Sequence, residues 1–119
     1  MSFQQGLDEF NTGQFYDCHE TWEALWQPMP PGPDKTFLQG LIQLAVGCYH
    51  WQQGNRHGAT TLLGKALEKL IATPPTVAER WVTQAPELTA HTRQLLAKVS
   101  TGTLTQLPQC TLHPALPPT

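Results

Sequence analysis

Charge is scarce in this chain. Asp, Glu, Lys and Arg make up 13% of its 119 residues, and 7 Lys and Arg against 9 Asp and Glu leave a formal net charge of -2. A protein that holds phosphate backbones needs a basic excess, so nucleic acid is not an expected partner. Cysteine is sparse too: Cys18, Cys48 and Cys110 are odd in number and lack C-x-x-C spacing. That pattern argues against a disulfide framework and a cysteine zinc knuckle, and it fits reduced thiols in a cytoplasm. No apolar run approaches the roughly 20 residues that span a bilayer. The N-terminal MSFQQGLDEF has no basic stretch followed by an apolar core. The expectation is a soluble, cytoplasmic protein with no membrane partner.

Proline is abundant by contrast, and its 11 copies punctuate an otherwise helical pattern. Phe3, Leu7 and Phe10 recur at four and three residues, a short amphipathic helix ending at Asn11-Thr12-Gly13. A second helix, 15–26, carries Phe15, Cys18, Trp22, Leu25 and Trp26 and stops where Pro28, Pro30, Pro31 and Pro33 begin. Asp34 reads as the N-cap of a third, about 34–53, which is apolar nearly all round and so belongs at the centre of a bundle. Gly54 and Asn55 suit the end of that helix and the start of a fourth, about 56–71, striped with Ala59, Leu62, Leu63, Ala66, Leu67 and Leu70. After Pro74-Pro75, Thr76 is the expected cap of a short stretch through Val77, Trp81 and Val82. Pro86 then opens a last helix with Leu88, Leu95, Leu96 and Val99. The predicted fold is all-α: one domain, 1–101, of about five helices around a central apolar helix, followed by a proline-rich extended or disordered tail, 102–119.

Two polar seams interrupt the apolar helices. At 100° per residue, His19 lies within about 60° of Phe15, Trp22, Glu23 and Trp26, while Glu20 falls to one side. On the third helix Gln39, Gln43, Val46 and His50 share a similar arc. Leaving a buried polar group unpaired costs about 1 to 3 kcal/mol, so helices two and three are expected to be neighbours with their seams facing.

Three readings of this constellation compete. In the first, the side chains form a buried hydrogen-bond network in a non-catalytic structural or interaction module, with Glu20, Gln39, Gln43, Trp26 and Asn55 among its members. Apolar surface around Trp51 or Trp81 would then meet another chain, a homodimer partner included. In the second, His19 and Glu23, at i and i+4, direct a nitrogen and an oxygen at one divalent transition metal, with His50 added from the facing helix. Gln39 and His50 are about 16 Å apart along the helix axis and do not share an ion. In the third, His19 is a general base oriented by Glu23, but no Ser or Cys nucleophile sits in a recognisable motif. The zinc-peptidase signature needs a histidine where Glu23 stands. Arg56 and His57 mark a helix start that would receive an anion or simply be solvated. None of these patterns names a substrate, and the small-molecule ligand, if there is one, is unspecified.

The strings FNTGQFYDCHETWEALW, FLQGLIQLA and YHWQQGNRHGA, over about 10–70, resemble the bacterial and archaeal family named domain of unknown function 309. That family is described by a His-x-x-x-Glu-x-x-Trp or Tyr motif, matched here by His19, Glu23 and Trp26. Gly40 to Gln43, His50, Gly54 and Asn55 match as well, whereas Gln27 stands where a basic residue often follows the tryptophan. The resemblance implies a small all-helical domain, and the motif has been suggested to bind metal. It implies no assigned activity.

Overall fold

Ser2 opens the first helix by accepting a 3.0 Å hydrogen bond from the Gln5 backbone N–H. The computed structural model describes residues 2–108 and 110–115. Six helices follow one another: α1 (Phe3–Asn11), α2 (Phe15–Trp26), α3 (Pro33–Gln52), α4 (Arg56–Ala72), a single turn α5 (Pro75–Ala78) and α6 (Ala85–Thr101). The turn between α1 and α2 passes through Gly13 at φ +79, and α3 ends before Gly54 at φ +76. Asn55 caps α4 as expected, its carboxamide oxygen accepting from Gly58 N at 2.9 Å.

Helix α3 is the centre of the bundle. Phe37, Leu38, Leu41, Ile42, Leu44, Ala45 and Cys48 are all buried on it, and α2, α4 and α5 pack against it. α1 lies on α2, and α6 lies on α4. Gly40 and Gly47 bring α4 in close: a Cβ at Gly47 would come within 2.8 Å of the Leu63 side chain. Trp22 is fully buried, stacked at 5.5 Å on Phe3 and 6.1 Å on Phe10, with its indole N–H donating to Phe3 O.

Two local expectations are corrected. Asp34 does not cap α3, which starts one residue earlier on Pro33 after Gly32. Its carboxylate instead accepts the Trp81 indole N–H at 2.8 Å and the Arg80 guanidinium at 3.0 and 3.1 Å. Those bonds hold its carboxyl below the usual carboxylate range, the indole contributing most. Arg56 is exposed, but its guanidinium is engaged rather than open to an anion: it donates to Val99 O and Ser100 O and so caps the C-terminus of α6.

The segment expected to be an extended or disordered tail lies partly outside the described residues, at 109 and 116–119. In its described part Leu112 is buried in the core, and its backbone exchanges two hydrogen bonds with the Asn11 side chain, at 2.8 and 2.9 Å. Thr83 N donates to His113 O and Ala115 N to Trp81 O, forming an isolated antiparallel bridge between Val82 and Pro114. Trp51 and Trp81, expected to expose apolar surface, are partly buried against the core; among the described residues Tyr16 and Ile71 are the exposed large apolar side chains. Among the described residues no helix is long and apolar enough to cross a membrane.

Candidate functional site

The packing of α2 on α3 decides which side chains of the two seams meet. At one end the Tyr16 and Tyr49 rings lie 5.4 Å apart. At the other the Trp26 indole donates to Lys35 O at 3.0 Å, and the Lys35 ammonium sits 4.4 Å from the Trp26 ring centroid. The helices are therefore antiparallel, and the His19 turn lies beside the last two turns of α3.

His19 is held by its own helix. Nδ1 lies 3.1 Å from Tyr16 O, and because a carbonyl oxygen only accepts, that nitrogen carries a proton. Nε2 is thereby turned to the Glu23 carboxylate, 3.2 Å from Oε2. The histidine side chain is one-quarter exposed and the glutamate nearly half, so the pair sits at the rim of the bundle.

His50 is held by a different neighbour. Its Nδ1 is 3.4 Å from the Asn55 carboxamide nitrogen, whose oxygen is already committed to Gly58 N. An amide nitrogen only donates, so Nδ1 of His50 is the acceptor and Nε2 carries the ring proton. A Cβ at position 58 would lie 2.9 Å from His50 Cγ, so the imidazole occupies a notch that exists because residue 58 is glycine. His19 and His50 line one cavity of about 190 Å³ between the helices, together with Phe15, Tyr16, Val46 and Tyr49.

The structure thus brings His19, Glu23 and His50 to one end of the α2–α3 groove but divides their partners. Among the described residues no three His, Cys, Asp or Glu side chains are grouped to hold one ion, so His50 is not drawn into a common ligand set with the pair. No hydrogen bond among those residues joins His19 or Glu23 to Gln39, Gln43 or His50. The buried Gln43 Oε1 has no hydrogen-bond partner there. Glu20 is exposed and Gln39 half-buried. Trp26 bonds to Lys35 O, and Asn55 to Gly58 and His50. The network anticipated across the seams is therefore open: His19 pairs with Glu23 within α2, His50 meets Asn55 at the start of α4, and the bond that does cross, from Trp26, goes to the Lys35 backbone.

The thiols are poor nucleophiles. Cys18, next to His19 in sequence, is fully buried, and burial is the main cause of the upward push on its thiol, with Glu9 and Cys48 adding to it. Burial also pushes Cys48 up to about 12 and Cys110 up to about 11. All three stay protonated near neutral pH, which leaves the His19 general-base reading without a thiolate to act with. Tyr16, Tyr49 and Gly58 carry much of the geometry and were not singled out from the sequence. The available signals were an aromatic three residues before His19, another just before His50, and a glycine three residues after a cap.

A family model described as "Domain of unknown function (DUF309)" matches residues 3–62, a span that includes every residue of this site and ends within α4. An uncharacterised protein of Bacillus subtilis (strain 168), YpuF, is 39% identical over 67 residues, which is 56% of this chain and 38% of that protein. An uncharacterised protein of Aquifex aeolicus (strain VF5) is 29% identical over 65 residues, 55% of this chain and 20% of that protein. The chain spans well under half the length of these curated relatives. No solved structure matches it.

Proposed function

The chain belongs to the domain of unknown function 309 family, and within that family we propose that it binds a divalent transition metal through His19 Nε2 and Glu23 Oε2. One observation carries the reading: the two atoms are 3.2 Å apart. Two ligand atoms each about 2.1 Å from a single ion lie roughly 3 to 3.4 Å from one another. The proton on Nδ1, given to Tyr16 O, supports it further, since a backbone carbonyl on the far nitrogen is the usual way to orient a metal-binding imidazole. With two protein ligands, the other coordination positions belong to water or a small ligand. When bound, the ion would supply Lewis acidity to that water or to a polarised oxygen, the chemistry of a metal-dependent hydrolase.

The experiment is metal content per chain after growth in trace metals, followed by calorimetric titration with Zn²⁺ of wild type, His19→Ala and Glu23→Ala. A saturable site is expected in the wild type and at least about tenfold weaker binding in either variant. At a hundredfold excess over Kd the ion should stabilise the wild type by about 2.7 kcal/mol.

The competing reading, a module in which His19 and Glu23 serve structure alone, is favoured by their direct pairing at i and i+4 on one helix. It requires Glu23→Ala to lose the same stability with and without chelator, whereas the metal reading makes that loss chelator-dependent. Equal Zn²⁺ binding by wild type and both variants would refute the proposal.

A further inference from the structure

A strand-like segment of the tail lies in a groove with two unlike edges. On one edge the Asn11 side chain, at the end of α1, donates to Leu112 O at 2.9 Å and accepts from Leu112 N at 2.8 Å. A carboxamide bonded to both backbone groups of one residue takes the place of a neighbouring strand. On the other edge Thr83 N donates to His113 O at 3.1 Å and Ala115 N donates to Trp81 O at 3.0 Å. Val82 and Pro114 face each other between those bonds as an antiparallel pair that exchanges none, so the proline removes no donor that the pairing needs.

The groove recognises main chain and one side chain. All four of these bonds go to the backbone of 112–115, where Leu112 is buried in the core while His113 and Pro114 are exposed. Backbone pairing for affinity and a pocket for an anchoring side chain are the means by which an exposed strand edge takes up an extended peptide. The occupant leaves space beside it: a cavity of about 180 Å³, bordered by Gln84, Glu87 and His91, runs along Cys110, Thr111 and Leu112. A segment with one fully seated side chain and two exposed ones belongs to the low-stability end of the fold and opens before the helices do.

We propose that Asn11, the 81–83 backbone and the Leu112 pocket form a docking surface for an extended, uncharged peptide with a leucine anchor, supplied by another polypeptide, and that 111–115 is its occupant in cis. The tail competes with a ligand in trans at the high effective concentration of a tethered segment. This surface shares no residue with the His19–Glu23 pair, so its test is independent of the ion proposed there.

The probe is acetyl-TLHPA-amide, the sequence of 111–115, titrated into the full chain and followed by chemical shifts of the backbone amides. Leu112→Asn puts a polar group at the anchor and releases the tail. The released chain should bind the peptide saturably, with the largest shifts around Asn11 and 81–83, and at least about tenfold more tightly than the wild type, whose groove is already filled. Replacing the leucine of the peptide by alanine should weaken binding about tenfold or more. Methylating its leucine nitrogen, the donor that Asn11 accepts from, should do the same without altering the protein. Asn11→Ala in the Leu112→Asn chain should also weaken binding at least about tenfold. Circular dichroism establishes that the released chain keeps its helical signal, and Leu112→Ala is the milder release where Leu112→Asn does not. The absence of saturable binding by a folded, released chain overturns the proposal, as do equal affinities of released and wild-type chains or of methylated and unmethylated peptides.

Discussion

Gly6→Ala should unfold this protein more easily although alanine is the better helix former. In an exposed helix interior the exchange would stabilise by about 1 kcal/mol. Here the added Cβ would fall 2.0 Å from Trp22 Nε1, 2.4 Å from Cδ1 and 2.6 Å from Cε2. The indole has nowhere to go, being fully buried between Phe3 and Phe10. Forcing atoms into a packed core costs about 1 to 3 kcal/mol and occasionally more. A shifted indole also loses its hydrogen bond to Phe3 O, and a buried donor without a partner adds about 1 to 3 kcal/mol. Set against the helix gain, the net loss is about 3 kcal/mol, or roughly 12 °C in Tm for a domain of this size. Thermal and urea unfolding followed by circular dichroism measure it, and Gly6→Ala combined with Trp22→Phe should recover part of the loss by shrinking the ring. A single variant as stable as the wild type would show that α1 is not seated on Trp22, and with it would go the account of how α2 is held for the site.

Two further outcomes follow from polar groups in opposite situations. The carboxyl of Asp34 is held low in the folded state, so its contribution is complete above the unfolded value of about 3.9 and is lost as pH falls through the folded value. Asp34→Asn should therefore cost about 1 kcal/mol near neutral pH, limited by the exposure of the Arg80 pair, with the gap to wild type closing in acid; a gap that is constant with pH in urea titrations would remove the electrostatic explanation. Gln43→Met removes an acceptor that is buried without a partner while keeping chain length. The urea midpoint should rise by the equivalent of about 1 kcal/mol at unchanged m, and a fall of similar size would mean that the carboxamide makes a bond stronger than the fold accounts for.

Much of the architecture is legible in the sequence alone. Asn11-Thr12-Gly13, the prolines after Trp26 and the Gly54-Asn55 pair end or begin helices through φ preference, missing donors and side-chain caps, all of which act within a few residues. The apolar circumference of α3 announced its central place, since a helix apolar all round buries its surface only when other helices surround it. The wheel likewise put His19 and Glu23 on one face, four residues apart, where they lie within 3.2 Å.

What local rules could not supply were the partners chosen across long loops. Asp34 was suited to capping α3, but Trp81, 47 residues on, offers an indole N–H in a better position. Gln43 and His50 share a face of α3, yet a face fixes direction around the axis and not what stands opposite at each level. His50 was taken by the cap of α4, and Gln43 Oε1 was left without a partner among the described residues. Composition and periodicity alone determined that this chain is a bundle of helices around one apolar member, because burial of a repeating stripe is a property of the sequence itself. The aromatic cavity, the separation of His50 from the His19–Glu23 pair and the seat cut by Gly58 were decided by tertiary packing, because hydrogen bonds and van der Waals contacts depend on distances between segments that no single helix specifies.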